Sequence, residues 1–197
     1  MSYQNDLKKI FSYIISSNII DGSSLELAKV LASKGQRTSR KECLDVLSSY
    51  GIGNLNSFRQ NSMKLILFYI RIALKDNIIS NEEINSVRFL KLLFDINEGD
   101  FLTEKDLSNE VSDIIRTQIE SMYVNDDKID IEESIHKVNL QEIFGLNYDQ
   151  FISLTNDLAL DSFERGAEWT DLDSFVTAEA YERWCEKNKF DQDTSLN

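Results

Sequence analysis

A pattern centred on residues 76–101 recurs fifty positions later without a gap. Asp76 pairs with Asp126, Ile79 with Ile129, Glu82 and Glu83 with Glu132 and Glu133, Leu90 with Leu140, Phe94 with Phe144, Asn97 with Asn147 and Phe101 with Phe151. In the first copy Leu65, Phe68, Tyr69, Ile72 and Ala73 precede the acidic turn 76–80, and Ile84, Val87, Leu90, Leu93 and Phe94 follow it. In the second, Val111, Ile114, Ile115, Ile119, Met122 and Tyr123 lead into 126–130, and Ile131, Ile135, Val138, Ile143 and Phe144 lead out. Apolar residues three, four and seven apart share one face of a helix, so each copy reads as helix, tight turn, helix. Such a unit cannot bury its apolar face alone, and the repeat predicts two hairpins packed together about a pseudo-two-fold axis.

The rest of the chain agrees with an all-α helical bundle of two tandem helix-turn-helix repeats, flanked by N-terminal helices and a C-terminal helix. Proline is absent and glycine occurs seven times in 197 residues, so little interrupts helical spacing. Leu7, Ile10, Phe11, Ile14 and Ile15 form one stripe, Leu27, Val30 and Leu31 a second, and Cys43, Val46, Leu47 and Tyr50 a third. Ser23 with Glu26 and Ser39 with Glu42 have capping-box spacing, in which the hydroxyl accepts from the N3 amide and the carboxylate reaches back to the cap amide. "YGIGNLNSF", residues 50–58, is the best break in the chain. The expected organisation is an N-terminal helical subdomain over 1–56, the repeat domain over 57–163, and a C-terminal helix with a polar tail over 164–197. That last piece carries Tyr181, Trp184 and Cys185 on a helix, with Trp169 and Trp184 read as packing anchors.

The formal charge of −13, from 34 acidic and 21 basic residues, repels phosphate backbones and anionic lipid, which excludes general nucleic-acid binding. The one basic knot, Arg37, Arg40 and Lys41, reads as a solvated helix start. No apolar run is long enough to span a bilayer, and the N-terminus lacks the apolar core of a secretory signal, so a cytoplasmic protein without membrane insertion is expected. Cys43 and Cys185 are far apart and outside any CxxC spacing, which fits buried reduced thiols.

The two acidic turns have a structural role in their own right. Ser80 to Glu83 and Asp130 to Glu133 are capping boxes, and carboxylates there complement the positive end of the helix dipole. Capping leaves a surplus in Asp76, Glu82, Asp126, Asp127 and Glu132, whose mutual repulsion a cation would relieve. Oxygen ligands of this kind suit Ca²⁺ or Mg²⁺, giving candidate metal ligands Asp76 and Glu83 in one turn and Asp126, Asp130 and Glu133 in the other. A full EF-hand is excluded, because its first ligand positions would fall on Ile72 and Leu74, or on Met122 and Val124. Residues 95–106 offer oxygens at Asp95, Asn97 and Asp106, but have Asp100 where the sharp turn of a calcium loop needs glycine.

An apolar helix running into Asp, then Ile-Ser and Glu-Glu opening the next helix, resembles the TerB-like family of tellurite-resistance proteins over about residues 60–163. The resemblance implies two related helical halves, an acidic patch holding a divalent metal at Asp76, Glu83, Asp126 and Glu133, and roles in chemical-stress response, phage defence and assembly with other proteins. The Ala-Asp-Gly opening of that family's motif is replaced here by Lys75-Asp76-Asn77 and Asn125-Asp126-Asp127, and Asn is the better substitute for Gly because it tolerates a left-handed backbone.

Material for catalysis is sparse: one histidine, two scattered cysteines and no glycine-rich phosphate loop, so the chain is expected not to be an enzyme. His136, beside the second acidic turn, is expected in a surface ion pair. Two functional expectations follow. One is a metal-responsive adaptor for a protein partner; the other is an acidic immunity or inhibitor protein that binds a basic partner such as a toxin nuclease. Acids gathered on one face with exposed aromatics among them would favour the second, and acids confined to two turns the first.

Overall fold

A computed structural model describes residues 6–126, 131–164, 182, 185 and 186. Among the described residues the chain is helical and contains no strand, with α1 Asp6–Ser16, α2 Gly22–Lys34, α3 Arg40–Ser48, α4 Arg59–Ala73, α5 Asn81–Phe94, α6 Lys105–Asp126, α7 Ile131–Phe144 and α8 Tyr148–Glu164. None of these helices is long and apolar enough to cross a membrane. Two compact units divide the chain: residues 1–111 with 142–145, and residues 112–141 with 146–197.

In the first unit α4 is the central element. Its sequence "RQNSMKLILFYIRIA" buries Met63, Leu65, Ile66, Leu67, Tyr69, Ile70 and Ala73, which is apolar nearly all round and therefore fits a helix surrounded by others. α1, α2 and α5 pack against it, and α3 packs on α2. The Phe11 and Tyr69 rings meet at 5.9 Å, and Phe101 stands edge-on to Phe144 at 6.3 Å. Because α1 and α2 share this core with α4 and α5, the glycine-rich break at 50–58 lies inside the unit rather than at its edge. Tyr50, expected in the stripe of α3, lies beyond the helix end and is half exposed.

In the second unit Ile115, Ile119 and Met122 of α6, Leu140 of α7, and Phe151, Ile152, Thr155, Leu158, Ala159 and Leu160 of α8 are buried. Arg116 Nη1 donates to Asp157 Oδ1 at 2.7 Å and to the Leu154 carbonyl at 3.3 Å, joining α6 to α8. Near the C-terminus Cys185 is helical and buried. Trp169, Tyr181 and Trp184, and with them the expected anchors and tail, lie outside the described residues.

Helix ends separate the correct capping expectations from an incorrect one. Ser39 with Glu42 and Ser80 with Glu83 both form complete capping boxes. Ser23 with Glu26 does not: α2 begins earlier, with Asp21 at the cap, and Glu26 instead meets Lys29 at 2.6 Å. Further along, α5 and α7 end alike. Asp95 and Gly145, fifty apart, take left-handed backbones at φ 60° and 64°, and the next amides, Ile96 and Leu146, each donate 2.9 Å back to the carbonyls of Lys91 and Gln141. This is the six-to-one hydrogen bond that closes a helix through a left-handed residue. Gly145 is also crowded, since a Cβ there would lie 2.9 Å from Lys91 Nζ and 3.2 Å from Glu98 Cα.

Burial follows the same offset from position 86 onward, although Ile84 is buried where Ser134 is exposed. Positions 86, 87, 90, 93, 94, 96 and 101 are buried, and so are 136, 137, 140, 143, 144, 146 and 151. This corrects the expected stripe of α7. Ile135 and Val138 face solvent, each 56% exposed, while His136 and Lys137 are buried. The spacing of Ile135 and Val138 does mark one face of α7, but the buried face is the one carrying Leu140, Ile143 and Phe144.

Candidate functional site

The first acidic elbow is built from a 3-10 turn, Leu74–Asp76, that closes α4. Asn77 follows at φ 61° and ψ 15°, the left-handed conformation that its short amide side chain tolerates. Ile79 is buried just before the cap, as a staple residue should be, whereas Ile78 is 67% exposed. Glu83 Oε2 accepts from the Ser80 amide at 2.9 Å and from the Ser80 hydroxyl at 2.8 Å, while Ser80 Oγ accepts from the Glu83 amide at 3.2 Å. The Asp76 carboxylate is exposed and receives a long 3.4 Å contact from the Ile78 amide. Of the predicted metal ligands in this elbow, Glu83 is therefore engaged in capping through Oε2, and Asp76 stands at the exposed start of the turn.

In the second elbow Glu133 is half-buried in the first turn of α7. Asp126 closes α6, but its side chain, and Asp127 and Asp130 entirely, lie outside the described residues. Among the described residues no group of three or more His, Cys, Asp or Glu side chains is placed to hold a metal ion. In the 95–106 segment, Asp100 is ion-paired with Arg59 and accepts from the Asn97 amide, and Arg59 also donates to the Asp95 carbonyl at 2.7 Å. Those contacts tie α4 to the turn after α5.

His136 is not in a surface ion pair. It is 8% exposed, its Nε2 lies 3.0 Å from Gln118 Oε1, and its Nδ1 is buried without a hydrogen-bond partner among the described residues. Burial lowers its pKa below the ordinary imidazole value, favouring the neutral ring. The fifty-residue pairing carried the signal for this, because it sets His136 opposite Ser86, which is also buried.

The thiol of Cys43 is pushed up to about 11 by burial, so it is not a nucleophile at neutral pH. The Lys34 ammonium, together with the Ser39 cap, holds the Glu42 carboxyl down to about 2. A cleft of about 190 Å³ between the α1–α2 connection and α4 is lined by Ile20, Asp21, Ser24, Lys64, Leu65 and Phe68. It is smaller than the roughly 300–1,000 Å³ usual for small-molecule sites, and its lining carries one cation and one carboxylate.

The strongest electrostatic feature is not an elbow but a division of charge. Counted over sequence, the first unit carries 14 Lys and Arg against 15 Asp and Glu, and the second carries 7 against 19. Nearly the whole formal charge, −12 of −13, therefore belongs to the second unit. Among that unit's described residues the cations are Arg116, bound to Asp157, and Lys137, which is buried. Asp113, Glu120, Glu132, Asp149, Asp157, Asp161, Glu182 and Glu186 are all exposed. No protein-family model, curated protein or solved structure matches this chain.

Proposed function

We propose that this chain is a non-catalytic, cytoplasmic helical interaction module of the TerB-like kind, acting as an adaptor in a stress-response or phage-defence complex. The observation that supports it is the fifty-residue correspondence, which extends from sequence to the left-handed ends of α5 and α7 and to their buried positions. Under this proposal residues 57–163 form two tandem helix-turn-helix hairpins, and Asp76, Glu83, Asp126, Asp130 and Glu133 are ligands for Ca²⁺ or Mg²⁺ at the elbows. Supplying Glu83 to a cation would set metal binding against its capping role. Calorimetric titration of wild type and of Asp76→Ala with Asp126→Ala tests the metal component. Binding heat and a thermal shift in wild type alone would support it, and no heat with an unchanged melt would remove it.

The division of charge favours a second reading, an acidic immunity or inhibitor protein that captures a basic partner such as a nuclease. A unit at −12 attracts such a partner over long range and accelerates encounter. Pull-down from the native host distinguishes the two, by recovering a multi-protein assembly in one case and a single strongly basic protein in the other.

A further inference from the structure

α7 has its chemistry reversed relative to α5. Where α5 buries Ser86 and Val87 and shows Asn85 and Arg88 to water, α7 buries His136 and Lys137 and shows Ile135 and Val138. Ile135 and Val138 are each 56% exposed, and leaving branched aliphatics in water forgoes the hydrophobic gain of burying them. Places where a sequence departs from the pattern its own fold requires are where functional constraints are expected. Ile135 and Val138 lie one turn apart on the same face, with exposed Glu132 one turn before them.

Charge chooses among the occupants of that face. A second copy would bring its own −12 unit against the first, and nucleic acid and anionic lipid are repelled in the same way. A Lys- and Arg-rich polypeptide segment with apolar side chains complements both the field and the aliphatic pair. We propose that the Ile135–Val138 face of α7 is a docking surface for a basic amphipathic segment of a partner protein. Ile135 and Val138 serve as its anchors, and Glu132 and the other carboxylates of the unit steer the approach. This deepens the second reading above and rests on it.

The test uses the full chain and two synthetic peptides of equal charge, one of Lys and Leu at amphipathic helical spacing, the other with Ser in place of Leu. The Lys/Leu peptide is expected to bind more tightly, and with an affinity that falls as salt rises. Ile135→Ala with Val138→Ala should weaken it by about tenfold or more. Ile78→Ala with Leu92→Ala, which truncates exposed aliphatics of the first unit, should leave it unchanged. All four side chains are exposed, so circular dichroism should show both variants folded. If the α7 variant binds as tightly as wild type, or the Lys/Ser peptide binds equally well, the docking face is overturned while capture of basic partners survives. Failure of both peptides to bind at low salt overturns both. Self-association of wild type that the α7 variant abolishes would make a second copy the occupant and overturn the proposal as well.

Discussion

α5 and α7 occupy matching places in the fifty-residue pattern and, apart from Ile84, whose counterpart Ser134 is exposed, bury matching positions, yet they fill those positions with different chemistry. In α5 the inward residues are small or apolar at 86 and 87, and an arginine faces outward at 88, where it donates to Glu142 at 2.8 Å. In α7 a histidine and a lysine are buried at the corresponding positions and Val138 is exposed. Backbone geometry and core aromatics have thus been kept while the side chains between them changed. Packing requirements govern positions such as Phe94 and Phe144, where lost volume leaves a cavity; positions one residue away are free to take up other roles.

The largest test of this comparison removes the shared core. Phe94→Ala and Phe144→Ala, both at fully buried positions, should each cost about 3–5 kcal/mol in urea denaturation. Similar losses with unchanged denaturant slopes would uphold equivalence, and a near-neutral result at either position would break it.

The next test addresses the polar interior of α7. The neutral ring of His136 is the buried form, whereas in the unfolded chain it takes up a proton near its ordinary pKa. Its penalty is therefore absent above about pH 6.5 and grows as pH falls through that value toward the lowered folded one. The stability advantage of wild type over His136→Ser should shrink between pH 7.5 and pH 5, before most carboxylates titrate. A gap that stays constant over that interval would mean the folded ring takes up its proton as the unfolded one does, and a gap that widens would mean the ring is held charged.

The smallest effect concerns the start of α5. Ser80→Ala removes the hydroxyl that accepts from the Glu83 amide and should cost about 1 kcal/mol, read as a lower denaturation midpoint.

Much of this was legible in the sequence because helices are specified locally. Ser39 and Ser80 marked true caps, and Leu65, Val87, Leu90 and Phe94 marked true core positions. Ser23 misled because cap spacing is common in any Ser- and Glu-bearing stretch, and the chain turned at Asp21 instead. Ile135 and Val138 misled because apolar periodicity identifies a face without saying whether a neighbour covers it. Aligning them with Asn85 and Arg88 would have placed them in water. The division of charge was invisible until the units were known, since residues 142–145 belong with the first unit and the flanking segments with the second.

The crowding around Gly145 means that the ends of α5 and α7 are not interchangeable. Asp95 occupies the corresponding left-handed corner with a side chain, but at 145 even a methyl group would displace the Lys91 ammonium from the Glu142 carbonyl it serves and press on the main chain at Glu98. A chimera that carried Asp95 of α5 onto position 145 would have to move both at this corner, however faithfully the remaining pairs were matched.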